Sequence, residues 1–302
     1  MIKLINQSGV KVLTITSLLL TLVCLSYSPT LHAQSGKVVE QPPQQPQPEP
    51  EPTPLPTPLP TPEPPQSKEM QAHAEQILQR AVEALGGPNY SRVSTLISRG
   101  QITPFKDGVS GIPTAFIDSI AYPDRERTEF RGGGSRTIQV NTGDTGWIFD
   151  GAARSLKDMT REQVEDFHQT IRTSVEHLLR GPWRKEGARL SYLGRREAGL
   201  ARRNETVRLT YPDGMSVEFE FGAKDGLPAK AIYQRKDAEG QEATEEDRMA
   251  QYISVGSILA PFVVDHFRAG VQTSRINYES IEFNVPIAEA LFTRPANVKA
   301  IK

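Results

Sequence analysis

From residue 188 to 292 the sequence alternates and breaks, over and over. Met215, Val217, Phe219 and Phe221 are separated by Ser216, Glu218 and Glu220. A period of two puts the apolar set on one face of a strand and the charged set on the other. Tyr211-Pro212-Asp213-Gly214, Lys224-Asp225-Gly226 and Ala238-Glu239-Gly240 divide such segments with the residue types that tight turns require. Short connections make neighbouring strands antiparallel. A sheet patterned in this way has one dry face, and something must cover it.

Two segments have the pattern of a cover. Ser67 is a suitable N-cap for a helix in which Ala74, Ile77, Leu78, Ala81, Val82 and Leu85 recur at helical spacing, and Gly86-Gly87-Pro88 ends it. Thr160 and Gln163 stand at capping-box spacing. Val164, Phe167, Ile171, Val175, Leu178 and Leu179 continue as one apolar stripe until Gly181-Pro182. Strand patterns also occur upstream, near 93–102, 114–122, 125–130, 136–141 and 146–151. The glycines at 132–134 precede Thr137-Ile138-Gln139-Val140, which reads as strand, so they predict a hairpin loop and not a phosphate cradle at a helix start. In 271–283 the apolar phase slips between Tyr278 and Ile281, which predicts a bulge at Glu279-Ser280. The tally is about ten to eleven strands. A sheet that long curls. The expected fold is α+β and mainly antiparallel β: an incomplete, half-open curled barrel with two amphipathic helices covering its concave face.

The N-terminal part has a different character. Lys3 and Lys11, an apolar run over 12–25, and Leu31-His32-Ala33 before Gln34 compose a secretory signal peptide over 1–33, cut after Ala33. Tyr27, Ser28 and Pro29 leave the apolar run short for a membrane span. Cys24 is the only cysteine, and Val23 precedes it where a lipoprotein signal wants a small residue, so an outer-membrane lipoprotein is the lesser alternative. Cleavage leaves no disulfide and no thiolate metal site. Export without disulfides fits a bacterial periplasm. Residues 34–66 read as a disordered Pro-rich linker; 13 of the 24 prolines lie within 41–66. As polyproline II it would reach roughly 80 Å, a spacer or a ligand for a proline-reading partner. The folded domain is expected over 67–296, with 297–302 as a flexible tail.

The totals exclude several functions. With 35 basic and 36 acidic residues the chain lacks the basic excess of a nucleic-acid binder. His73, His168, His177 and His266 have no metal-ligand spacing, and no cofactor motif occurs. No Gly-x-Ser-x-Gly precedes a helix, and Glu245-Glu246-Asp247 reads as surface charge, so no catalytic constellation is visible. Arg125, Arg127, Arg195, Arg196, Arg202 and Arg203 either orient an anionic headgroup or form a charged outer face; the outer face is the simpler reading.

What rises above background is apolar surface. Phe116, Trp147, Phe149, Phe167, Leu178, Leu209, Val217, Phe219, Phe221, Phe262 and Val264 are candidates to line the concave face and the helices that plug it. They either fill a core or bound a hydrophobic cavity for acyl chains, in which each buried methylene is worth about 0.8 kcal/mol.

A first helix ending in Gly-Gly, Tyr-Pro-x-Arg-x-Arg over 122–127, Gly-Trp-Ile-Phe-Asp-Gly over 146–151, an interposed helix, and Phe283-Asn284-Val285-Pro286 before Leu291-Phe292 follow one another in order. In that order, over roughly residues 68–295, the chain resembles the LolA/LolB-like family of periplasmic lipoprotein carriers. The resemblance implies an incomplete barrel with a helical lid over a hydrophobic cavity. It also implies carriage or sorting of lipid or lipoprotein acyl chains without catalysis, with transient membrane contact. The Pro-rich stalk departs from a small free carrier. One rival is an envelope interaction module with a filled core, a stalk and a protein partner. Another is a hydrolase, which would need His168 or His266 in a cleft beside a carboxylate and a serine.

Overall fold

The computed structural model describes residues 67–236 and 240–301. The expected signal peptide, Cys24, the Pro-rich linker and the Ala238-Glu239 part of one turn lie outside the described residues. Two helices open the domain, α1 (Lys68–Leu85) and α2 (Pro88–Ser91). Seven strands follow: β1 (Thr95–Lys106), β2 (Val109–Ser110), β3 (Thr114–Ala121), β4 (Arg125–Gly132), β5 (Ser135–Thr142), β6 (Thr145–Asp150) and β7 (Ser155–Asp158). Next come α3 (Arg161–Thr173) and α4 (Val175–Arg180). The last strands are β8 (Arg189–Glu197), β9 (Arg203–Thr210), β10 (Ser216–Gly222), β11 (Pro228–Lys236), β12 (Glu242–Val255), β13 (Ile258–Arg268) and β14 (Val271–Phe283).

All fourteen strands belong to one antiparallel sheet, ordered β7-β6-β5-β4-β3-β1-β14-β13-β12-β11-β10-β9-β8, with β2 pairing β1 alone. Two meanders therefore meet at β1 and β14. The chain builds one meander outward to β7, crosses by α3 and α4, and builds the other inward from β8. Among the described residues β7 and β8 remain unpaired edges, and the curled sheet is open, not closed into a barrel.

The count of about ten to eleven strands is corrected to 14. The strands without a sequence signal are β2, two residues long, and β7, Ser-Leu-Lys-Asp, which carries one apolar residue and no alternation. Among the described residues the expected pair of helices becomes four. α2 is a four-residue turn begun by Pro88, and the single helix expected over 160–179 is broken at Ser174. Ser174 sits at ψ 145°, outside the helical region, and its hydroxyl caps α4 by accepting from His177 N at 3.1 Å. The Thr160–Gln163 capping box is formed, as is the Ser67 cap of α1. The phase slip in β14 is real: Arg99 pairs Ser280 and Gly100 pairs Tyr278, leaving Glu279 as the extra residue.

α1 and α4 cover the inner face of β8–β11. Ala74, Ile77, Leu78 and Ala81 pack with Val175, Leu178, Leu209, Val217, Phe219 and Phe221 into the largest core cluster. The alternation of β10 holds there: Val217 and Phe219 are wholly buried while Ser216 is exposed. A second cluster lies on the opposite, outer face of the other meander. Ile138, Val140, Trp147 and Phe149 are covered there by the C-terminal segment through Ile287, Phe292, Val298 and Ile301. Residues 297–301, expected as a tail, thus include a 3-10 turn (Val298–Ala300) and two packed side chains. Trp147 Nε1 donates to Phe292 O at 3.1 Å, and Arg125 pairs with Glu289, which ties this strap down.

Candidate functional site

The remaining inner face is not filled. β1, β3 and β11–β14 form one wall of an internal cavity of about 130 Å³, and α4 with the α1–β1 connection forms the other. Its apolar lining includes Leu96, Ile120, Val264, Ile276, Tyr278 and Ile281. An apolar cavity of roughly 150 Å³ holds a benzene-sized molecule, so a space of this size suits a short hydrocarbon and not a long chain.

Tyr252 reaches this cavity because β12 is irregular at Gln251. Gln251 has φ 53°, and the ladder runs from Ala250–Val263 directly to Tyr252–Pro261. The irregularity shifts the side-chain phase and turns Tyr252 inward, where its hydroxyl donates to Pro228 O at 2.7 Å.

A groove of about 700 Å³ lies beside the cavity, lined by Phe167, Ile171, Leu179, Pro123 and Arg125 among others. Tyr90, Val93, Ile120, Tyr122, Glu176 and Arg180 line both spaces and so form the partition between them. Arg180 is its centre. The guanidinium carbon lies 3.9 Å from the Tyr122 ring centre and 5.6 Å from that of Tyr90, and Nη1 donates to Val93 O at 2.7 Å. Arg180 comes from the last residue of α4, Tyr90 from α2, and Tyr122 from the β3–β4 turn, so the partition joins three elements.

The cavity wall also carries charge. Burial raises the Glu176 carboxyl above its ordinary range, partly opposed by the Arg180 cation. Burial and the neighbouring Glu126 carboxylate push the Asp118 carboxyl well above its ordinary range. Thr128 donates to Asp118 at 2.9 Å, and Glu126, Thr128, Gln139 and Asn141 continue a buried polar patch over β4 and β5. On the far wall His266 is fully buried, with Nδ1 2.6 Å from Asp247 Oδ1. Ser274 pairs His266 across β13 and β14. A carboxylate, a histidine and a serine thus share one row of the inner face. The Ser274 hydroxyl makes no hydrogen bond among the described residues, so the row lacks the serine–histidine link that activates a nucleophile.

The expected cavity residues are distributed otherwise than the pattern suggested. Val264 lines the internal cavity and Phe167 lines the groove. Phe116 packs with Ile102, Ile276 and Tyr278, next to the cavity but not on its surface. Leu178, Leu209, Val217, Phe219 and Phe221 belong to the filled core under α1. Trp147 and Phe149 are on the outer face beneath the C-terminal strap, because β5 turns its buried polar residues Gln139 and Asn141 inward and β6 pairs Trp147 with Val140 and Phe149 with Ile138. Phe262 falls at the irregular step opposite Gln251 and lines neither space. Of the partition residues, Tyr122 was read only as the start of the 122–127 motif, and Tyr90, Glu176 and Arg180 were not singled out. The signal for Glu176 and Arg180 was the helical spacing that puts them one turn apart.

Arg127 and Arg196 pair on the outer face, whereas Arg195 and Glu205 stand in register with Phe221 on the helix-covered face. Arg127 pairs with Glu129 at 3.1 Å, Arg195 with Glu205 at 2.7 Å, and Arg196 with Glu218 at 2.6 Å. His168 lies 3.1 Å from Gly143 O through Nε2, at the start of the crossover. Among the described residues, no group of three or more metal-binding side chains converges, and no helix is long and apolar enough to cross a membrane.

No family model and no curated protein matches the sequence. Solved structures do match the fold. A DUF1329 family protein from Desulfovibrio piger superposes with a TM-score of 0.51 at 10% identity, over 73% of this chain and 97% of that one. A LolA superfamily protein from Nitrosomonas europaea superposes with a TM-score of 0.50 at 11% identity, over 73% of this chain and 97% of that one. With its open curled sheet and helix-covered inner face, the chain has a LolA/LolB-like fold.

Proposed function

We propose that this protein binds the apolar chain of a lipid or lipoprotein between its sheet and α4, as a carrier or sorting factor of the bacterial envelope, without reacting with it. The observation that carries the reading is the void on the inner face, parted from an adjoining groove by a partition centred on Arg180, which stacks on Tyr90 and Tyr122. The void of about 130 Å³ is short of a full acyl chain. Binding therefore moves α4 and merges the two spaces. Each methylene that enters contributes about 0.8 kcal/mol, so several together offset two cation–π contacts and one backbone hydrogen bond of Arg180. The LolA-like fold and the expected export of the chain support the same reading, with transient membrane contact during loading.

Native mass spectrometry after mild purification and displacement of a fluorescent fatty acid test it. The expected results are co-purified lipid and displacement at micromolar probe, with faster probe uptake by Arg180→Ala. Absence of both lipid and displacement refutes the reading. The close-packed cluster beneath α1 favours a second one, an envelope interaction module with a protein partner. It requires that neither wild type nor Arg180→Ala take up probe.

A further inference from the structure

His266 is the one imidazole on the cavity wall, and its two nitrogens are in different situations. Nδ1 is 2.6 Å from Asp247 Oδ1, and the Tyr233 hydroxyl donates to the other Asp247 oxygen at 3.4 Å. In the neutral imidazole a proton on Nδ1 is accepted by this carboxylate, and the lone pair is then on Nε2. Nε2 is buried and has no hydrogen-bond partner among the described residues, on a side chain with 0% exposure. An acceptor held in place and left unmatched costs stability unless something meets it.

The surroundings narrow what that is. Asp118, Glu176 and Asp247 put carboxyl groups around the cavity, which opposes an anionic headgroup at this depth. The cation on the wall, Arg180, is at the partition to the groove and not beside His266. A buried ammonium would have to give up its hydration. A neutral donor on an apolar body fits both conditions. We propose that the inner end of the cavity is a hydroxyl-recognition site, in which His266 Nε2, oriented by Asp247, accepts a hydrogen bond from the alcohol group of an otherwise apolar ligand. This rests on the chain-binding reading above and specifies its ligand as an alcohol-bearing amphiphile that enters hydroxyl first.

Two isomers test it directly in the wild-type protein at pH 8. 1-Octanol and methyl heptyl ether have the same atoms, but only the alcohol donates; n-octane has neither group. Competition against the fluorescent fatty-acid probe is expected to show 1-octanol bound about tenfold more tightly than the ether. His266→Phe is expected to bring the two to within about twofold. Because the isomer comparison needs no variant, a misfolded His266→Phe leaves the test intact. Equal affinity of the isomers for wild type overturns the hydroxyl site and leaves chain binding standing. Failure of all three compounds, n-octane included, overturns both. Crystals showing one water bridging His266 Nε2 and Ser274 Oγ, unchanged when octanol is loaded, also overturn the hydroxyl site.

Discussion

Glu245 shows how closely residue chemistry is tied to burial in this interior. Its side chain is wholly buried on the inner face, 2.6 Å from Arg268 Nη1. Burial dominates the attraction and raises its pKa from 4.5 to about 7. A carboxyl raised in the folded state stabilises the fold fully below its unfolded value, and that contribution is lost as pH rises through the folded value. Glu245 therefore favours the fold most below about pH 4.5 and loses its effect as pH passes about 7. His177, held down chiefly by burial, acts in the opposite sense as pH falls. Denaturant melts of wild type and Glu245→Gln between pH 4.5 and 7 separate the two, and the variant is expected to lose the part of the slope that falls with rising pH. Packing sets a larger scale. Phe219 has no exposed surface within the main cluster, and Phe219→Ala is expected to cost about 3–5 kcal/mol by equilibrium unfolding.

At the scale of elements, the break between α3 and α4 is the most consequential detail. Ser174 both ends one helix, donating to Ile171 O at 2.8 Å, and caps the next. Ser174→Ala removes the cap and is expected to cost about 1 kcal/mol in thermal or chemical melts, with faster amide exchange over 175–180 than over 161–173. Close approach fixes another junction: a Cβ on Gly86, at φ +130°, would stand 2.5 Å from Ser257 O, so α1 can meet the β12–β13 turn only through a glycine. Much of this level was legible beforehand. Both caps, the two apolar stripes, the β10 alternation and the Glu279 bulge follow from spacing alone. The break at Ser174 was not, since the apolar stripe runs through it unbroken and serine occurs in helix interiors as well as at caps. Nor was the facing of β5 and β6. Ile138, Val140, Trp147 and Phe149 alternate as a core strand should, but alternation does not say which face of a sheet the helices occupy. Here the apolar residues face outward under the C-terminal strap, and Gln139 and Asn141 face in. The partition was hidden for a different reason: Tyr90, Tyr122 and Arg180 are far apart in sequence and meet only when α2, α4 and the β3–β4 turn assemble.

For the whole molecule, the C-terminal strap is a structural part of the sheet and not an appendage. It covers Trp147 and Phe149, anchors Glu289 to Arg125, and joins Arg294 to Asp158 on the edge strand at 2.5 Å. A chain ending at residue 285 is expected to expose that apolar patch, melt at lower temperature and bind a dye such as ANS, whereas Leu200→Ser, at a fully exposed position, is expected to leave melting unchanged. The crossover has the broadest effect. α3 and α4 leave the β7 edge and arrive at the β8 edge, so they form a chord drawn across an open bow, with its one joint at Ser174. Whatever lifts the chord from the bow must either open that joint or flatten the curve. On the chain-binding reading, guest size is converted into the distance between the sheet's two free edges, and spin labels on β7 and β8 are expected to act as a ruler whose reading lengthens with each added carbon of the guest.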